Sequence, residues 1–396
     1  MKFQGVDYYK IDELLSEEEK MTRTLVREFL ENEVEPLVVD AFHEEKPLDM
    51  EKIAPKMGQL GMIGAFIPEE YGCAGANYVT FGLVCQEVER VDSALRTFIA
   101  VESGLVMYPI WRYGSEEQKK KWLPLLARGE KVGCFGLTEP NRGSDVASME
   151  TVAKKTADGW VINGTKQWIS EASVADFAVV WAQTEEGVRG FIVERGHEGF
   201  TQTFQARKGS MRASDVGELG FADCKIPAES LLPEGKGLRA PFSCLNQARY
   251  GISWGAIGAA MDCYETALNY AKEREQFGAP IAAYQLVQQK LVTMLIEITK
   301  AQLLCYRLGR LMDEGKASHA HISMAKKNNV ATARLCARLA RETLGANGVS
   351  LDYSPIRHMA NIESVYTYEG TDDVHTLILG QDITGISAFR RELSGD

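Results

Sequence analysis

The stretch Gly133-Cys134-Phe135-Gly136-Leu137-Thr138-Glu139-Pro140-Asn141-Arg142-Gly143-Ser144-Asp145 divides this 396-residue chain into regions of different character. It opens as an apolar, strand-like run and then breaks into a loop of glycine, proline and small polar side chains. Glycine permits close approach of the backbone, and Thr138, Asn141 and Ser144 offer hydrogen bonds without bulk. The stretch therefore predicts the start of a β region with a polar loop beside it.

On the N-terminal side of this stretch the pattern is helical, and on the C-terminal side it alternates. Ser16 with Glu19, and Ser115 with Gln118, have the spacing of a capping box at a helix start. From about 131 to 236, short runs predict strands at 160–162, 177–181, 190–193 and 218–221, with turns at 157–159 and at Asn163-Gly164. Strands this frequent without intervening helices indicate a small antiparallel barrel or sandwich.

From about 237 the helical period returns. Long amphipathic stretches run at about 243–276, 282–313 and 319–344, and Gly345 stands where the third would end. Helices of this length indicate a four-helix bundle. The sequence therefore predicts a multidomain α+β protein with an N-terminal helical domain at 1–130, a central β domain at 131–236 and a C-terminal helical bundle at 237–396.

Composition narrows the classes of function. The net charge of −11 argues against sequence-independent binding of nucleic acid, although local cations or helix N-termini can still bind an anionic ligand. The eight cysteines lack C-x-x-C spacing and the six histidines lack metal-ligand spacing, so we expect buried free thiols and no structural metal. No run has the length of a membrane span and the first residues resemble no targeting peptide. We expect a prokaryotic cytoplasmic protein, or the mature form of a mitochondrial matrix protein.

A second informative stretch, Val365-Tyr366-Thr367-Tyr368-Glu369-Gly370-Thr371-Asp372-Asp373, lies near the C-terminus. Glu369 lies beside aromatic residues, and a carboxylate next to aromatic surface is poorly solvated, so its basicity rises. Such a group can act as a general base towards a carbon-bound proton, but a glutamate in a loop is more often solvated surface. The assignment therefore depends on the rest of the chain.

Four motifs, in this order, resemble those of the flavin-dependent acyl-CoA dehydrogenases. They are 133–145, Asn163-Gly164-Thr165-Lys166-Gln167-Trp168-Ile169-Ser170, Arg274-Glu275-Gln276-Phe277-Gly278 and Tyr368-Glu369-Gly370-Thr371. The resemblance runs from about residue 15 to the C-terminus and is greatest to the glutaryl-CoA dehydrogenases, through 89–93, 134–145, 245–251 and 361–385. It implies FAD as cofactor, an acyl-CoA thioester as substrate, a homotetramer, and electron-transfer flavoprotein as electron acceptor. No nucleic-acid partner and no membrane insertion are expected.

The resemblance also assigns residues to FAD. Phe135, Leu137 and Thr138 match positions that line the isoalloxazine, Ser144 matches one near the pyrophosphate, and Trp168 with Ser170, where threonine is usual, covers the opposite face. Residues that match a neighbouring subunit's contact with the flavin are Arg274, Phe277, Gln285 and Gly345, and the cofactor set also includes Gln276, Thr371 and Asp373. Taken singly, Phe135 and Trp168 fit a barrel core and Arg274 a solvated helix end, so the assignment rests on the whole set.

The implied chemistry begins at the thioester carbonyl, which accepts hydrogen bonds from the flavin ribityl hydroxyl and the backbone N–H of Glu369. Glu369 takes the α-proton while a β-hydride passes to the flavin. Some members of the family place the base just before the arginine that matches Arg249, but here that residue is Ala248, which cannot ionise. Glu369 is therefore the expected base, and the substrate set also includes Ser144, Asn246, Arg249 and Gly370.

Arg96 separates the possible acyl groups. It lies among apolar residues, where a guanidinium is expensive to bury without an anion, and the alternative is a place at the surface end of a helix. In the glutaryl-CoA dehydrogenases the matching arginine holds the distal carboxylate of the substrate with a glutamate and a tyrosine, and Glu89 and Tyr368 match these. The match favours decarboxylation to crotonyl-CoA, with Glu369 returning its proton to the γ-carbon.

Two departures from the glutaryl-CoA pattern leave alternatives open. Thr97, assigned to the substrate because it keeps the hydroxyl, replaces the usual serine, and Ala94-Leu95 stands where Gly-Tyr is common. The alternatives are a short-chain or other dicarboxylyl-CoA dehydrogenase without decarboxylation, an acyl-CoA oxidase, and a catalytically silent relative that binds flavin or acyl-CoA.

Overall fold

The computed structural model describes residues 5–389, and its first part is helical, as predicted. Both capping boxes are present: the hydroxyls of Ser16 and Ser115 accept from the backbone N–H groups of Glu19 and Gln118, whose side chains accept in return. The helices, with π-helical segments at Leu30–Val34 and Val101–Met107, are α1 (Glu17–Phe29), α2 (Glu35–Glu44), α3 (Met50–Gln59), α4 (Tyr78–Val91), α5 (Ser93–Ala100), α6 (Tyr108–Tyr113) and α7 (Glu116–Ala127).

The central region is a β-sheet, and every predicted strand run lies inside one of its strands. They are β1 (Gly133–Gly136), β2 (Val152–Lys155), β3 (Gly159–Ser170), β4 (Phe177–Thr184), β5 (Gly187–Glu194), β6 (Phe200–Phe204), β7 (Val216–Pro227) and β8 (Leu231–Lys236). Their order is β6-β7-β3-β2-β4-β5-β8, with β1 beside β4. Most pairs are antiparallel, as predicted, but β1 and β2 run parallel to β4. Hydrophobic alternation does not encode strand direction, so the sequence could not predict these two pairs.

The turn predicted at Asn163-Gly164 is wrong, because β3 continues through it. The strand instead forms a bulge between Ile162 and Gly164. Gly164 has φ +149°, and a Cβ there would overlap Thr151. The Asn163 amide exchanges hydrogen bonds of 3.0 and 2.8 Å with Asp223 on β7. Asn163-Gly164 therefore forms a β-bulge, and the glycine allows β3 to approach Thr151 closely; the dipeptide does not form a hairpin turn.

The C-terminal region is helical, as predicted, and packs on the N-terminal helices in one continuous core. The hairpin between α8 and α9 was not predicted from the sequence, whereas Gly345, with φ +61°, follows the end of α10 as expected. The elements are α8 (Arg239–Glu273), the hairpin of β9 (Glu275–Gln276) and β10 (Ala279–Pro280), α9 (Gln285–Asp313), α10 (His319–Thr343), α11 (Ser354–Thr367) and α12 (Asp372–Thr384).

Seven of the eight cysteines are buried, Cys73 is partly exposed, and all are free thiols in the described part of the chain. Between residues 5 and 389, no helix is long and apolar enough to cross a membrane, and no cluster of His, Cys, Asp and Glu could hold a metal ion. The domain limits 1–130, 131–236 and 237–396 stay a proposal, and residues 1–4 and 390–396 lie outside the described part.

Candidate active site

Arg96 on α5 lies at the centre of a buried polar cluster and is 1% exposed. Its Nε donates to Glu89 Oε2 at 2.6 Å, and its Nη2 donates to the Tyr368 hydroxyl. That hydroxyl lies 3.3 Å from Thr97 Oγ1, and burial raises the pKa of Tyr368 to about 12, so the phenol stays protonated. The structure thus brings the four predicted residues of the acyl end together and excludes the surface position considered for Arg96.

Gly255 on α8 allows this cluster to form. A Cβ at this position would overlap Glu89 Oε2 and lie 2.9 Å from Arg96 Cγ. The other carboxylate oxygen of Glu89 accepts from Ser93 Oγ at 2.8 Å. Arginine has five N–H donors, so the bonds to Glu89 and Tyr368 leave donors for the carboxylate of a ligand. The role of Gly255 was not predictable from the sequence, because it depends on contact between helices far apart in the chain.

Glu369 lies between α11 and α12 in the left-handed conformation, with φ +56°. Burial raises the pKa of its carboxyl to about 7, while the positive charges of Arg249, Lys326 and Arg96 act in the opposite direction. Within residues 5–389, its Oε2 has no hydrogen-bond partner. A carboxylate of this kind is matched to proton transfer near neutral pH and has an oxygen available to a ligand.

Two buried cations hold the backbone around Glu369. Arg249 Nε donates to the Glu369 carbonyl at 2.7 Å. Lys326 Nζ, from α10, donates to the carbonyls of Tyr368 and Gly370 at 3.0 and 2.9 Å. Lys326 is 1% exposed, and burial lowers its pKa to about 7. Sequence reasoning missed Lys326, because a lysine in an amphipathic helix normally lies on the solvated face.

Gly370 fits tightly between α8 and α12. A Cβ there would come within 3.2 Å of Arg249 Nη2 and of His375 Nε2, and its φ is +89°. His375 is fully buried, and burial together with the charges of Lys326 and Arg249 lowers its pKa to about 3, so its ring is neutral. The predicted Asn246 lies beside this group, with its Oδ1 3.4 Å from Arg249 Nη1.

A second group of predicted residues lies along β1 and β3. β3 bulges at Trp168, which has φ +60° and a side chain that is 58% exposed. A backbone hydrogen bond of 2.9 Å joins β3 to the Thr138 carbonyl. Lys166 Nζ donates to the Leu137 carbonyl at 3.1 Å and pairs with Glu139 at 2.8 Å, and burial lowers its pKa to about 8. This buried pair, which sequence reasoning missed, fixes the loop after β1.

The surface around Trp168 fits a flat ring system such as that of FAD. An exposed indole held outward by a strained bulge is unfavourable in water, and a stacked ligand would cover it. Phe135, 7% exposed with its ring 6.4 Å from that of Trp181, lies with Leu137 in the hydrophobic core. Ser170, at the end of β3, is partly exposed, and Ser144, in the loop between β1 and β2, is exposed.

A third group lies at one end of the helical bundle. There Asn347 Nδ2 donates to the Tyr270 hydroxyl at 3.0 Å, which joins the end of α10 to that of α8. Phe277, with φ +52°, is 97% exposed. The predicted residues that are exposed at this end are Arg274, Gln276, Phe277, Gln285 and Gly345. The remaining residues of the predicted cofactor set, Thr371 and Asp373, lie at the start of α12. Thr371 Oγ1 accepts a hydrogen bond from Val374 N at 3.2 Å, and Asp373 is exposed.

Comparison with known proteins identifies the family. The models of the acyl-CoA dehydrogenase N-terminal, middle and C-terminal domains match residues 16–130, 134–224 and 235–384. The chain is 34% identical to glutaryl-CoA dehydrogenase of Desulfococcus multivorans, over 95% of this chain and 99% of that protein. It is equally, 34%, identical to the human mitochondrial short-chain specific acyl-CoA dehydrogenase, over 92% of this chain and 90% of that protein.

Solved structures agree with the sequence relatives. The crystal structure of glutaryl-CoA dehydrogenase from Mycobacterium smegmatis has a TM-score of 0.95 and 46% identity, covering 98% of this chain and all of that one (100%). A glutaryl-CoA dehydrogenase from the same organism in complex with FADH2 has a TM-score of 0.95 and 45% identity, covering 97% and 99%. The chain therefore belongs to the acyl-CoA dehydrogenase family of FAD-dependent oxidoreductases.

Proposed function

We propose that this protein oxidises glutaryl-CoA and decarboxylates the product to crotonyl-CoA. The observation that carries the proposal is the buried cluster of Arg96, Glu89 and Tyr368 next to Glu369. Tyr368 accepts a hydrogen bond from Arg96 and directly precedes Glu369, and the charge of Arg96 acts on the Glu369 carboxyl, which supports an anion held by Arg96 near the base. A planar guanidinium suits a carboxylate, which glutaryl-CoA has at its distal end and butyryl-CoA lacks.

The buried charges around Arg96 and Glu369 favour binding of one anion. Arg96, Arg249 and Lys326 contribute up to three positive charges, whereas Glu89 and Glu369 contribute two negative ones when ionised. The side chains of Arg96 and Glu89 are 1% and 0% exposed, so water screens the charges in this region poorly. The one positive charge in excess of the negative ones is therefore left without a counterion. An acyl group with a terminal carboxylate balances this charge, and an uncharged acyl chain does not.

The chain's own residues account for the proton transfers. Ionised Glu369 takes the α-proton of the thioester. Bound FAD supplies the acceptor for the β-hydride. The resulting glutaconyl-CoA loses CO2, because the electron pair left behind is delocalised into the thioester. Protonated Glu369 then returns its proton to the γ-carbon, which gives crotonyl-CoA and regenerates the base.

The site also supports proposals about assembly and electron transfer. The exposed Arg274 and Phe277 match residues that reach a neighbouring subunit's flavin, and α9 presents Leu286, Val292 and Ile296 with 75, 55 and 51% exposure. A second copy of the chain would cover such a face, so we propose a homotetramer. Electron-transfer flavoprotein is the proposed acceptor of the electrons, and the prokaryotic cytoplasm the proposed compartment.

A short-chain acyl-CoA dehydrogenase without decarboxylation is a second candidate. The equal identity, 34%, to the human short-chain enzyme and to the Desulfococcus multivorans enzyme supports it. Under this candidate Arg96 and Glu89 form a structural ion pair, and the methyl group of Thr97 narrows the space beside them.

Anaerobic titration of the purified flavoprotein with glutaryl-CoA and with butyryl-CoA separates the two candidates. Loss of the visible band of the oxidised flavin reports hydride transfer, and mass analysis identifies the product. The proposal expects bleaching by glutaryl-CoA with release of crotonyl-CoA. Glutaconyl-CoA as the final product would remove the decarboxylation step, and bleaching by butyryl-CoA alone would establish the short-chain candidate.

A further inference from the structure

The carbonyl groups of Tyr368, Glu369 and Gly370, three in succession, all accept hydrogen bonds from buried cations. Arg249 serves the middle carbonyl at 2.7 Å, and Lys326 serves the outer two at 3.0 and 2.9 Å. α11 has ended at Thr367, so the helix does not supply these bonds. Side chains on α8 and α10 therefore supply the hydrogen bonds that hold this loop.

These hydrogen bonds stabilise a loop whose backbone is strained. Glu369 has φ +56°, which costs a side-chain-bearing residue roughly 1–2 kcal/mol, and Gly370 follows at φ +89°. Conformations of this kind persist where the surrounding structure over-determines them. Lys326 contacts the residues on both sides of Glu369, so it fixes the direction in which the carboxylate leaves the loop.

Burial of a lysine costs more free energy than the hydrogen bonds to two carbonyl groups require. The hydrogen bonds of Lys326 go to neutral oxygens, and burial of an ammonium group without a contacting carboxylate is unfavourable. Lys327, the next residue, is 32% exposed and pairs with Asp372. The charge of Lys326 therefore calls for an explanation beyond the stability of the loop.

Ionisable groups face Glu369 and Lys326 from α5, α8, α10 and α12. Arg96 bonds Glu89, Arg249 bonds the loop backbone, Asp372 bonds Lys327, and His375 is neutral. The charges of Arg249, Lys326 and Arg96 act on Glu369, and those of Arg249, Glu369, Arg96 and Asp372 act on Lys326. The Cys244 thiol on α8 is in turn affected by Glu369, and the His375 ring on α12 by Lys326.

We infer that Lys326 is a positioning residue for the reaction: its ammonium group holds the backbone on both sides of Glu369 and supplies positive charge against which that carboxylate is ionised. The inference rests on the proposed function, since it assigns Glu369 as the base. The positive charges of Arg249 and Lys326 oppose the rise that burial causes in the pKa of Glu369. Below about pH 7, the pKa of Lys326, loss of its ammonium charge therefore raises the pKa of Glu369 further, so a larger fraction of the base is protonated there.

The test measures proton abstraction alone. The thioester 3-oxaglutaryl-CoA has α-protons, but an oxygen replaces its β-carbon, so no β-hydride can leave. Exchange of its α-protons in D2O, followed by mass spectrometry from pH 5 to 9 at saturating analogue, gives the pH at which the base is half ionised. Calorimetry at each pH confirms that the analogue is bound.

Four variants separate charge from hydrogen bonding. Lys326→Met removes both, Lys326→Gln removes the charge but keeps an N–H donor, and Lys326→Arg keeps both. Lys300→Met is the matched control, because Lys300 lies on α9, is 60% exposed and pairs with Glu297.

We expect the midpoint of exchange to rise by about one pH unit in both neutral variants, and the plateau rate of Lys326→Met to fall by about ten- to hundredfold. Lys326→Arg, which stays charged throughout this pH range, keeps the midpoint at or below that of the unaltered protein, and Lys300→Met leaves it unchanged. An unchanged midpoint in a folded, analogue-binding Lys326→Gln or Lys326→Met protein would overturn the inference. If Lys326→Met does not fold, Lys326→Gln decides alone. Absence of exchange in the unaltered protein would instead overturn the proposed function and the inference with it.

Discussion

The acyl end and the cofactor end of the candidate site differ in how much of each a single chain completes. At the acyl end, Arg96 is 1% exposed, Glu89 is fully buried, and Tyr368 bonds Arg96. At the cofactor end, Trp168 and Phe277 expose 58% and 97% of their side chains. One chain therefore builds its own base and its own charge cluster, whereas the cofactor surface is left for a ligand and, under our proposal, for a second subunit to cover.

The difference sets what substitutions will do. Buried charges that pair with each other are costly to separate, so changes at the acyl end alter substrate preference and rate strongly. Exposed aromatic side chains contribute little to the stability of a single chain, so changes at the cofactor end affect FAD retention and assembly.

Glu369→Gln has the largest expected effect. The amide cannot take a proton, so kcat with glutaryl-CoA should fall by about a hundred- to ten-thousandfold. FAD content and binding of the CoA thioester should persist, because the carboxyl Oε2 has no partner in the described residues. Stopped-flow bleaching of the flavin measures the step. Full turnover in this variant would show that the base lies elsewhere.

Arg96→Ala should shift substrate preference. Truncation of one partner in a desolvated charge pair costs about 2–5 kcal/mol, so the ratio of kcat/KM for glutaryl-CoA to that for butyryl-CoA should fall well over tenfold. The matched control is Arg334→Ala, since Arg334 is 49% exposed and pairs with Glu363. Equal losses with both substrates would make Arg96 structural and favour the short-chain candidate.

Phe277→Ala should act at the cofactor end alone. We expect FAD to dissociate about tenfold more readily, because a desolvated aromatic contact at an interface contributes more than about 1 kcal/mol. Absorbance after ultrafiltration measures retained FAD, and sedimentation reports the oligomer. Tyr8→Ala is the control, since Tyr8 is 76% exposed. Unchanged FAD retention would argue against a role for Phe277 at the cofactor.

Gly255→Ala should act mainly on stability, because no reacting group is removed. The new methyl group would overlap Glu89 Oε2, and overpacking of this kind costs about 1–3 kcal/mol in the free energy of unfolding. Gly380→Ala, in α12 with open space around it, should instead stabilise by about 0.5–1 kcal/mol. Thermal unfolding followed by circular dichroism compares the two. Equal melting temperatures would show that α8 yields to the added methyl group at little cost.

Local patterns in the sequence predicted the features that depend on neighbours in the chain. The capping boxes at Ser16 and Ser115, the order of helical, β and helical regions, and the aromatic setting of Glu369 are of this kind. Resemblance to the family brought Arg96 together with Tyr368, 272 residues away.

Features that depend on tertiary packing were not predictable in the same way. Lys326 and Lys327 are adjacent and identical, yet one is 1% exposed and the other pairs with Asp372 at 32% exposure. Lys326 is buried and Lys327 is not, because α10 packs on the Glu369 loop with the face that carries Lys326. The parallel pairing of β1 and β2 with β4, the buried pair of Lys166 with Glu139, and the Asn163-Gly164 bulge likewise depend on distant segments.

The most direct test of the account is a series of kcat/KM values for acyl-CoA thioesters with the unaltered protein. Succinyl-, glutaryl- and adipyl-CoA vary the distance between thioester and carboxylate, and butyryl-CoA lacks the carboxylate. If Arg96 binds the distal carboxylate while Glu369 takes the α-proton, kcat/KM will peak at glutaryl-CoA and exceed that for butyryl-CoA by at least about tenfold. A maximum at butyryl-CoA, or equal values across the series, would contradict the account.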